Sequence, residues 1–302
     1  MTQHKPLPAF FINAFYESKF RDTLFVVKAS GDVIEDDTAL DSLICNIRDL
    51  TLHGIKILLV YGGGKAVDRA VEARGIGTKR QDGRRVTDGA TLDVMREVIG
   101  GTMSLRVYES MSRNYLEGLC FNAVPAEWMK VDLRAKEPVD YGFVGDIKGV
   151  NKRPIMRKFK LNDFIACPCL AMSQDGQLCN INADTIATAL AVGISANKLV
   201  FLSNIDGVKV NGETAFMITS TQIRQYIEDG TVTDGMKVKM ENCLHALEGG
   251  VKRIHLINGL RADALYKEIF EPVGPGTMLL QDSERQNYLN EVEVQKIIGG
   301  NK

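Results

Sequence analysis

The sequence has no run of about eighteen apolar residues, so no membrane-spanning helix is expected. It has only four histidines, without ligand spacing, which gives no pattern for a zinc site and no metal ligands to name. Six cysteines are scattered from Cys45 to Cys243; only Cys167-Pro-Cys169 is close-spaced, and no CxxC pair accompanies it. In a chain of this length such thiols read as reduced core residues of a cytoplasmic protein, not as a disulfide framework. Neither sign of charge is in excess: 37 Lys and Arg stand against 38 Asp and Glu, for a net charge of -1. Without a long charge run, neither nucleic acid nor a membrane is called for as a partner, although a local basic cluster remains free to hold a phosphate. The N-terminal segment lacks the pattern of a signal peptide, because its short apolar stretch is broken by Asn13, Glu17 and Ser18. Neither a Pro/Ser-rich linker nor a repeat of roughly 20–50 residues divides the chain.

What is present suits a globular protein with a large core: 302 residues, 45% of them hydrophobic and 25% charged. The run TLFVVKASG (23–31) reads as a buried strand ending in small residues. In the next segment Leu40, Leu43, Ile44, Ile47 and Leu50 share one helical face. IKILLVYGGGK is a second buried strand running into glycines, and AVDRAVEARG is again helical. Strand, helix, strand, helix is the signature of a parallel α/β sheet. Residues 77–90 read as a basic loop, 91–116 as a helix and 140–151 as a β-hairpin. NDFIACPCLAMS, KLVFLSNIDGV and RIHLING read as strands, with helices expected at STQIRQYIEDG and TDGMKVKMENCLHALEGG. Polar or glycine-rich stretches fall at several strand ends: Lys28 to Gly31, Gly62 to Gly64, and Asn204 to Gly207. Ligands of open parallel sheets bind beyond the carboxyl ends of the strands, so these ends are the candidate site.

Single motifs leave alternatives open. YGGGK is no Walker A loop, because Lys65 is followed by Ala66, and no dinucleotide fingerprint, because the sixth position from Gly62 is Val67. It is either a tight strand-to-helix turn or a backbone cradle for an anion. Lys28 closes an apolar strand, and either reaches solvent or faces an anionic ligand. Lys237 and Lys239 lie near a helix start, where the macrodipole disfavours cations unless an anion is bound there. In CNINADTIATALAVG (179–193), Asn180, Asn182 and Asp184 are either caps of the alanine-rich helix or part of a reaction centre.

Taken in order, VVKASG, LLVYGGGKAVD, RRVTDGATLDVMREVIGG, DYGFVGDI, CNINADTIATALA, LSNIDGV, VTDGMKVKM and GPGTML resemble the amino acid kinase family. The nearest resemblance is to its members that phosphorylate N-acetyl-L-glutamate in arginine biosynthesis. It runs from about residue 14 to 281. It implies an α/β fold: a three-layer αβα sandwich with an open, mainly parallel central sheet. It also implies a single domain over 1–302, with an N-terminal helix or oligomerisation segment (about 1–22), a substrate lobe (about 23–170) and a nucleotide lobe (about 171–302). The activity implied is transfer of a phosphoryl group from ATP, with Mg2+, to the side-chain carboxylate of the substrate.

Residue roles follow from the resemblance by position. Lys28 and Lys239 are similar to the two lysines that stabilise the transferring phosphoryl group, and Asp184 to the acidic residue that orients them. Gly63 and Gly64 resemble the backbone donors, Arg85 the arginine that grips the α-carboxylate, and Asn180 a substrate-binding asparagine with Asn182 beside it. Ser30, Gly31, Asn204, Gly207, Val208, Lys209, Thr231 and Thr233 fall where the family binds the nucleotide. Tyr16, His255 and Glu268 match positions linked to L-arginine in the arginine-inhibited, ring-forming members, which implies an inhibitor and a homo-oligomer, dimer or hexamer. Three positions depart from the pattern: Ser30 stands in place of a glycine, and Asn204 and Asn258 in place of aspartates. The alternatives are a kinase of this family with another carboxylate substrate, and a non-catalytic arginine-sensing domain; retention of Lys28 and Lys239 speaks against the latter.

Overall fold

The structure, a computed structural model, describes residues 20–81, 84–271 and 274–299. Its centre is an eight-stranded sheet. In chain order the strands are β1 (Leu24–Ala29), β2 (Lys56–Tyr61), β3 (Leu119–Cys120), β4 (Phe164–Pro168), β5 (Lys198–Ser203), β6 (Met217–Thr219), β7 (Arg253–Asn258) and β8 (Thr277–Leu280). In space they run β6-β8-β7-β5-β1-β2-β4-β3. Every neighbouring pair is parallel except β7 with β8. All six residues of β1 are buried, as expected for a strand covered on both faces. β1 pairs with β5 on one side and β2 on the other, so the first and second halves of the chain share one sheet.

α1 (Gly31–Glu35) and α3 (Gly64–Ala73) leave the carboxyl ends of β1 and β2, α2 (Asp37–Leu52) follows α1, and α4 (Ala183–Ile194) and α5 (Asp234–Glu248) come later in the chain. α2 buries Leu40, Leu43, Ile44, Ile47 and Leu50, the face its spacing predicts. Asp36 caps it by accepting from the Ala39 N–H at 2.9 Å.

Four expectations are corrected. The basic loop 77–90 contains a short antiparallel pair, Arg80–Gln81 with Arg84–Arg85. The helix expected over 91–116 is three pieces: Gly89–Met95, a π-helix over Arg96–Met103, and Ser104–Arg113. Its wide turn leaves the Ile99 carbonyl to accept from the Ser104 hydroxyl at 2.9 Å and the Gly100 carbonyl to accept from the Asn122 amide at 2.5 Å. Both partners are polar groups that an α-helical period does not register.

The hairpin expected within 140–151 is instead split. Gly145–Val150 pairs with Met129–Leu133, while 141–144 is stitched to Thr87 and Asn180. Gly142 makes this possible, with φ of 68° and a hydrogen where any side chain would meet the Thr87 carbonyl oxygen. The strand expected at 162–173 divides after Pro168. Leu170–Met172 leaves the main sheet to pair with Leu178–Asn180, which delivers the chain to the start of α4.

Candidate active site

Two adjacent parallel strands, β1 and β2, end side by side in small residues. A side chain at Gly31 would lie 3.1 Å from the Gly63 Cα, and one at Gly62 3.2 Å from the Ala183 Cβ. The glycines therefore let three chain segments close up: the end of β1, the turn into α3 and the start of α4. A run of small residues leaves room for close approach to the backbone, which both readings of YGGGK, tight turn and anion cradle, require.

Across this junction Asp184 joins two lysines. Lys239 Nζ donates to Asp184 Oδ2 at 2.6 Å, and Lys28 Nζ lies 2.8 Å from Oδ1. Lys28 comes from β1, Asp184 from the first turn of α4 and Lys239 from α5. The three side chains are only 10–15% exposed. Burial alone would raise the Asp184 carboxyl, but the Lys28 and Lys239 charges overrule it and hold the group well below the usual carboxylate range. Asp184 is thus a fixed anion, unsuited to taking up a proton at neutral pH. Lys239 also lies 4.8 Å from the centre of the Phe201 ring. Two ammoniums against one carboxylate leave the cluster with a surplus positive charge, and a buried surplus of charge calls for an anionic ligand.

Beside this junction, Arg85 is 8% exposed in its side chain. Its Nη2 donates to the Gly64 carbonyl at 3.0 Å, and its Nη1 is 2.6 Å from Asp68. Asn180 donates to the Thr87 hydroxyl at 2.9 Å. Thr87 and Arg85 are two residues apart on one extended segment, so this segment carries both groups. Asn182 caps α4, its side-chain oxygen accepting from the Asp184 and Thr185 N–H groups at 2.8 and 3.1 Å. The opposed readings of NINAD therefore divide by residue: Asn182 is the cap, and Asp184 holds the lysines.

The nucleotide set gathers less tightly. Asn204 and Gly207 lie on the loop after β5, Gly207 with φ of 144°. Lys209 is exposed in a two-residue strand. Val208 has no free backbone group: its N–H donates to the Thr277 hydroxyl and its carbonyl accepts from Ala215 N–H, so it packs beneath the loop. Thr231 is bonded to Asp229, and Thr233 precedes α5 without using its hydroxyl as a cap. Ser30 also leaves its hydroxyl out of capping; that oxygen is enclosed and has no hydrogen-bond partner among the described residues.

His255 and Glu268 meet away from this junction. His255 Nδ1 is 2.6 Å from Glu268 Oε1, and His255 Nε2 is 3.1 Å from Lys198 Nζ. Burial, aided by the Lys198 charge, pushes the imidazole down to about 4. A neutral ring donating through Nδ1 and accepting through Nε2 satisfies both partners. A small pocket beside them includes Arg253, Glu271, Tyr288 and Glu291. Tyr16 lies outside the described residues.

The sequence reading missed Thr87 and Asp68. Each is an unremarkable polar residue until folding sets it against Asn180 or Arg85; the only local signal was the GGGKAVD and RRVT segments themselves. Among the described residues no group of three His, Cys, Asp or Glu side chains forms a metal site, and no helix is long and apolar enough to cross a membrane.

Comparison with known proteins places the chain in a family. The sequence model of the amino acid kinase family matches residues 23–258. The acetylglutamate kinase of Campylobacter hominis is 32% identical over 266 residues, spanning 87% of this chain and 93% of its own. That of Psychrobacter arcticus is 33% identical over 278 residues, spanning 88% and 91%. Among solved structures, N-acetylglutamate synthase from Neisseria gonorrhoeae, complexed with coenzyme A and N-acetyl-glutamate, superposes with a TM-score of 0.81 at 24% identity. This chain covers 63% of that one, and the likeness is one of fold. By the extent of the family match and the identity to full-length relatives, the chain belongs to the amino acid kinase family.

Proposed function

We propose that the chain transfers the γ-phosphoryl group of ATP to the side-chain carboxylate of N-acetyl-L-glutamate, a step towards arginine. The observation that carries this reading is the buried Lys28–Asp184–Lys239 cluster at the meeting of the two glycine-bearing strand ends. The relatives of about 30% identity bear the name acetylglutamate kinase over almost their whole length.

The chemistry needs little else. A carboxylate oxygen attacks the γ-phosphorus, a new P–O bond forms, and the bond to the β,γ-bridging oxygen breaks with its electron pair leaving on ADP. No proton moves, because the attacking carboxylate is already ionised at neutral pH. The obstacle is bringing two anions together, and the protein meets it with position and charge. Lys28 and Lys239 neutralise the phosphoryl oxygens, Asp184 fixes the lysines, and Gly31, Gly63 and Gly64 offer backbone N–H groups. Arg85 and Asn180 hold the acceptor. Asn204, Gly207, Lys209, Thr231 and Thr233 lie along the nucleotide. Magnesium enters bound to the phosphates of the substrate MgATP, since the nearest buried carboxylate is already committed to two lysines.

A hydroxylamine trap for acyl phosphate, run with MgATP and N-acetyl-L-glutamate, tests this. Hydroxamate formed only with both substrates supports the reading; folded protein that yields none refutes it. A faster reaction with another carboxylate would reassign the acceptor.

The pocket beside His255 and Glu268 supports a second role, binding of L-arginine as an inhibitor. Glu291 there already grips the Arg253 guanidinium through two hydrogen bonds and Glu268 holds His255, and Glu271 offers the same carboxylate chemistry to the guanidinium of a ligand. Titration with arginine, following turnover and melting temperature together, decides it: no effect on either rules it out. Light scattering tests the homo-oligomer, dimer or hexamer, that accompanies such regulation in the resemblance.

A further inference from the structure

Arg85 is held in an unusual way for a surface-loop arginine. Its side chain is 8% exposed, and Asp68 Oδ1 stands 2.6 Å from its Nη1. The contact is a close ion pair between two buried atoms. The second oxygen of Asp68 accepts from Arg80 Nη2 at 2.8 Å. One carboxylate is therefore shared by two guanidiniums, as Asp184 is shared by two ammoniums. In both clusters the carboxylate fixes the cations without cancelling their charge. The elements are well placed for this. Asp68 lies one turn into α3, four residues after Gly64, whose carbonyl takes the other side of the Arg85 guanidinium. Arg80 and Arg85 pair across the short hairpin, so Asp68 ties both strands of it to α3.

We propose that Asp68 is the positioning residue that aims Arg85 at the substrate's α-carboxylate, with Arg80 sharing its charge so that Arg85 stays attractive to an anion. This rests on the reading of Arg85 as the acceptor's carboxylate partner. The simpler role for Asp68, an anchor of the hairpin to α3, would affect stability without affecting which acceptor is preferred.

The test compares N-acetyl-L-glutamate with its α-amide, which lacks the charge Arg85 would meet, in wild type, Asp68→Asn, Asp68→Glu, Arg80→Met and Arg85→Met. With Asp68→Asn, the KM for N-acetyl-L-glutamate should rise about tenfold, as for loss of one charge-assisted contact. The KM for ATP and kcat should hold, and the preference for the acid over the amide should shrink. Asp68→Glu should restore part of that preference. Arg80→Met should also raise the KM for the acid, because Asp68 then neutralises Arg85 alone; this arm stands even if Asp68→Asn does not fold. Loss of preference in Arg85→Met but full preference in Asp68→Asn, or an unchanged KM in Arg80→Met, overturns the role given to Asp68. Full preference in Arg85→Met, or no preference in wild type, overturns the reading of Arg85 and this proposal with it.

Discussion

Lys28, Asp184 and Lys239 give the sharpest expectations at the scale of single residues, because each differs in what its removal leaves behind. Lys28→Met or Lys239→Met still leaves Asp184 one cationic partner, so the fold should survive. Turnover should drop about 100- to 1,000-fold, the usual cost of losing one aligned group that stabilises transition-state charge. Steady-state assays beside thermal melts separate the two effects; equal losses of activity and stability would contradict a catalytic role. Asp184→Asn is a different experiment. It leaves two buried ammoniums facing each other without a counter-charge, and breaking a buried pair in this way costs about 3–5 kcal/mol. Its melting temperature should fall well below that of either lysine variant, and MgATP should recover part of the loss by supplying the missing anion. The residue scale is also where the sequence was least self-sufficient. Asn182 and Asp184 are two residues apart and chemically alike, yet one caps a helix and the other binds lysines. Nothing in NINAD distinguishes them; the positions of β1 and α5 do.

At the scale of elements, the stretch 140–145 matters most. It is sewn to Thr87 and Asn180 by backbone hydrogen bonds, and Gly142 is the point at which the chain turns. Gly142→Ala forces a side chain into a left-handed conformation against the Thr87 carbonyl. Such strain costs about 1–3 kcal/mol. Urea denaturation should show a loss of this size. The KM for the acceptor should rise while that for ATP holds, because Thr87 carries Asn180 and lies beside Arg85. An unchanged acceptor KM in a destabilised variant would separate this stretch from the substrate site. Helical periodicity picks out the apolar residues that α2 buries, Leu40, Leu43, Ile44, Ile47 and Leu50, since a core-facing stripe is a local property. It could not foresee the π-helix over Arg96–Met103, whose freed carbonyls are taken by Ser104 in the next turn and by Asn122 from a neighbouring segment.

For the whole molecule, His255 gives stability a dependence on pH. Its folded value, about 4, lies below the ordinary 6.5. Between these values the unfolded chain takes up a proton that the folded one does not, so stability falls as pH drops from about 6.5 towards 4. A shift of this size corresponds to roughly 3 kcal/mol. Asp184, held low by its lysines, adds a further loss as the medium becomes more acid. Denaturation at a series of pH values should show this slope, and His255→Gln should flatten the part above pH 4. A slope unchanged by that substitution would assign the effect to other groups.

The sequence by itself determined the alternation of strands and helices, the buried character of the central strands, and the polar and glycine-rich strand ends that make the candidate site. These follow from periodicity and turn chemistry, which act between residues close along the chain. The ordered motifs also carried the family. What only the tertiary structure decided is how charge is arranged at those ends: Asp184 between two lysines, Asp68 between two arginines, Asn180 on Thr87. Each joins segments far apart in sequence, and burial makes the pairing compulsory, because an ionised or polar group taken out of water must find a partner.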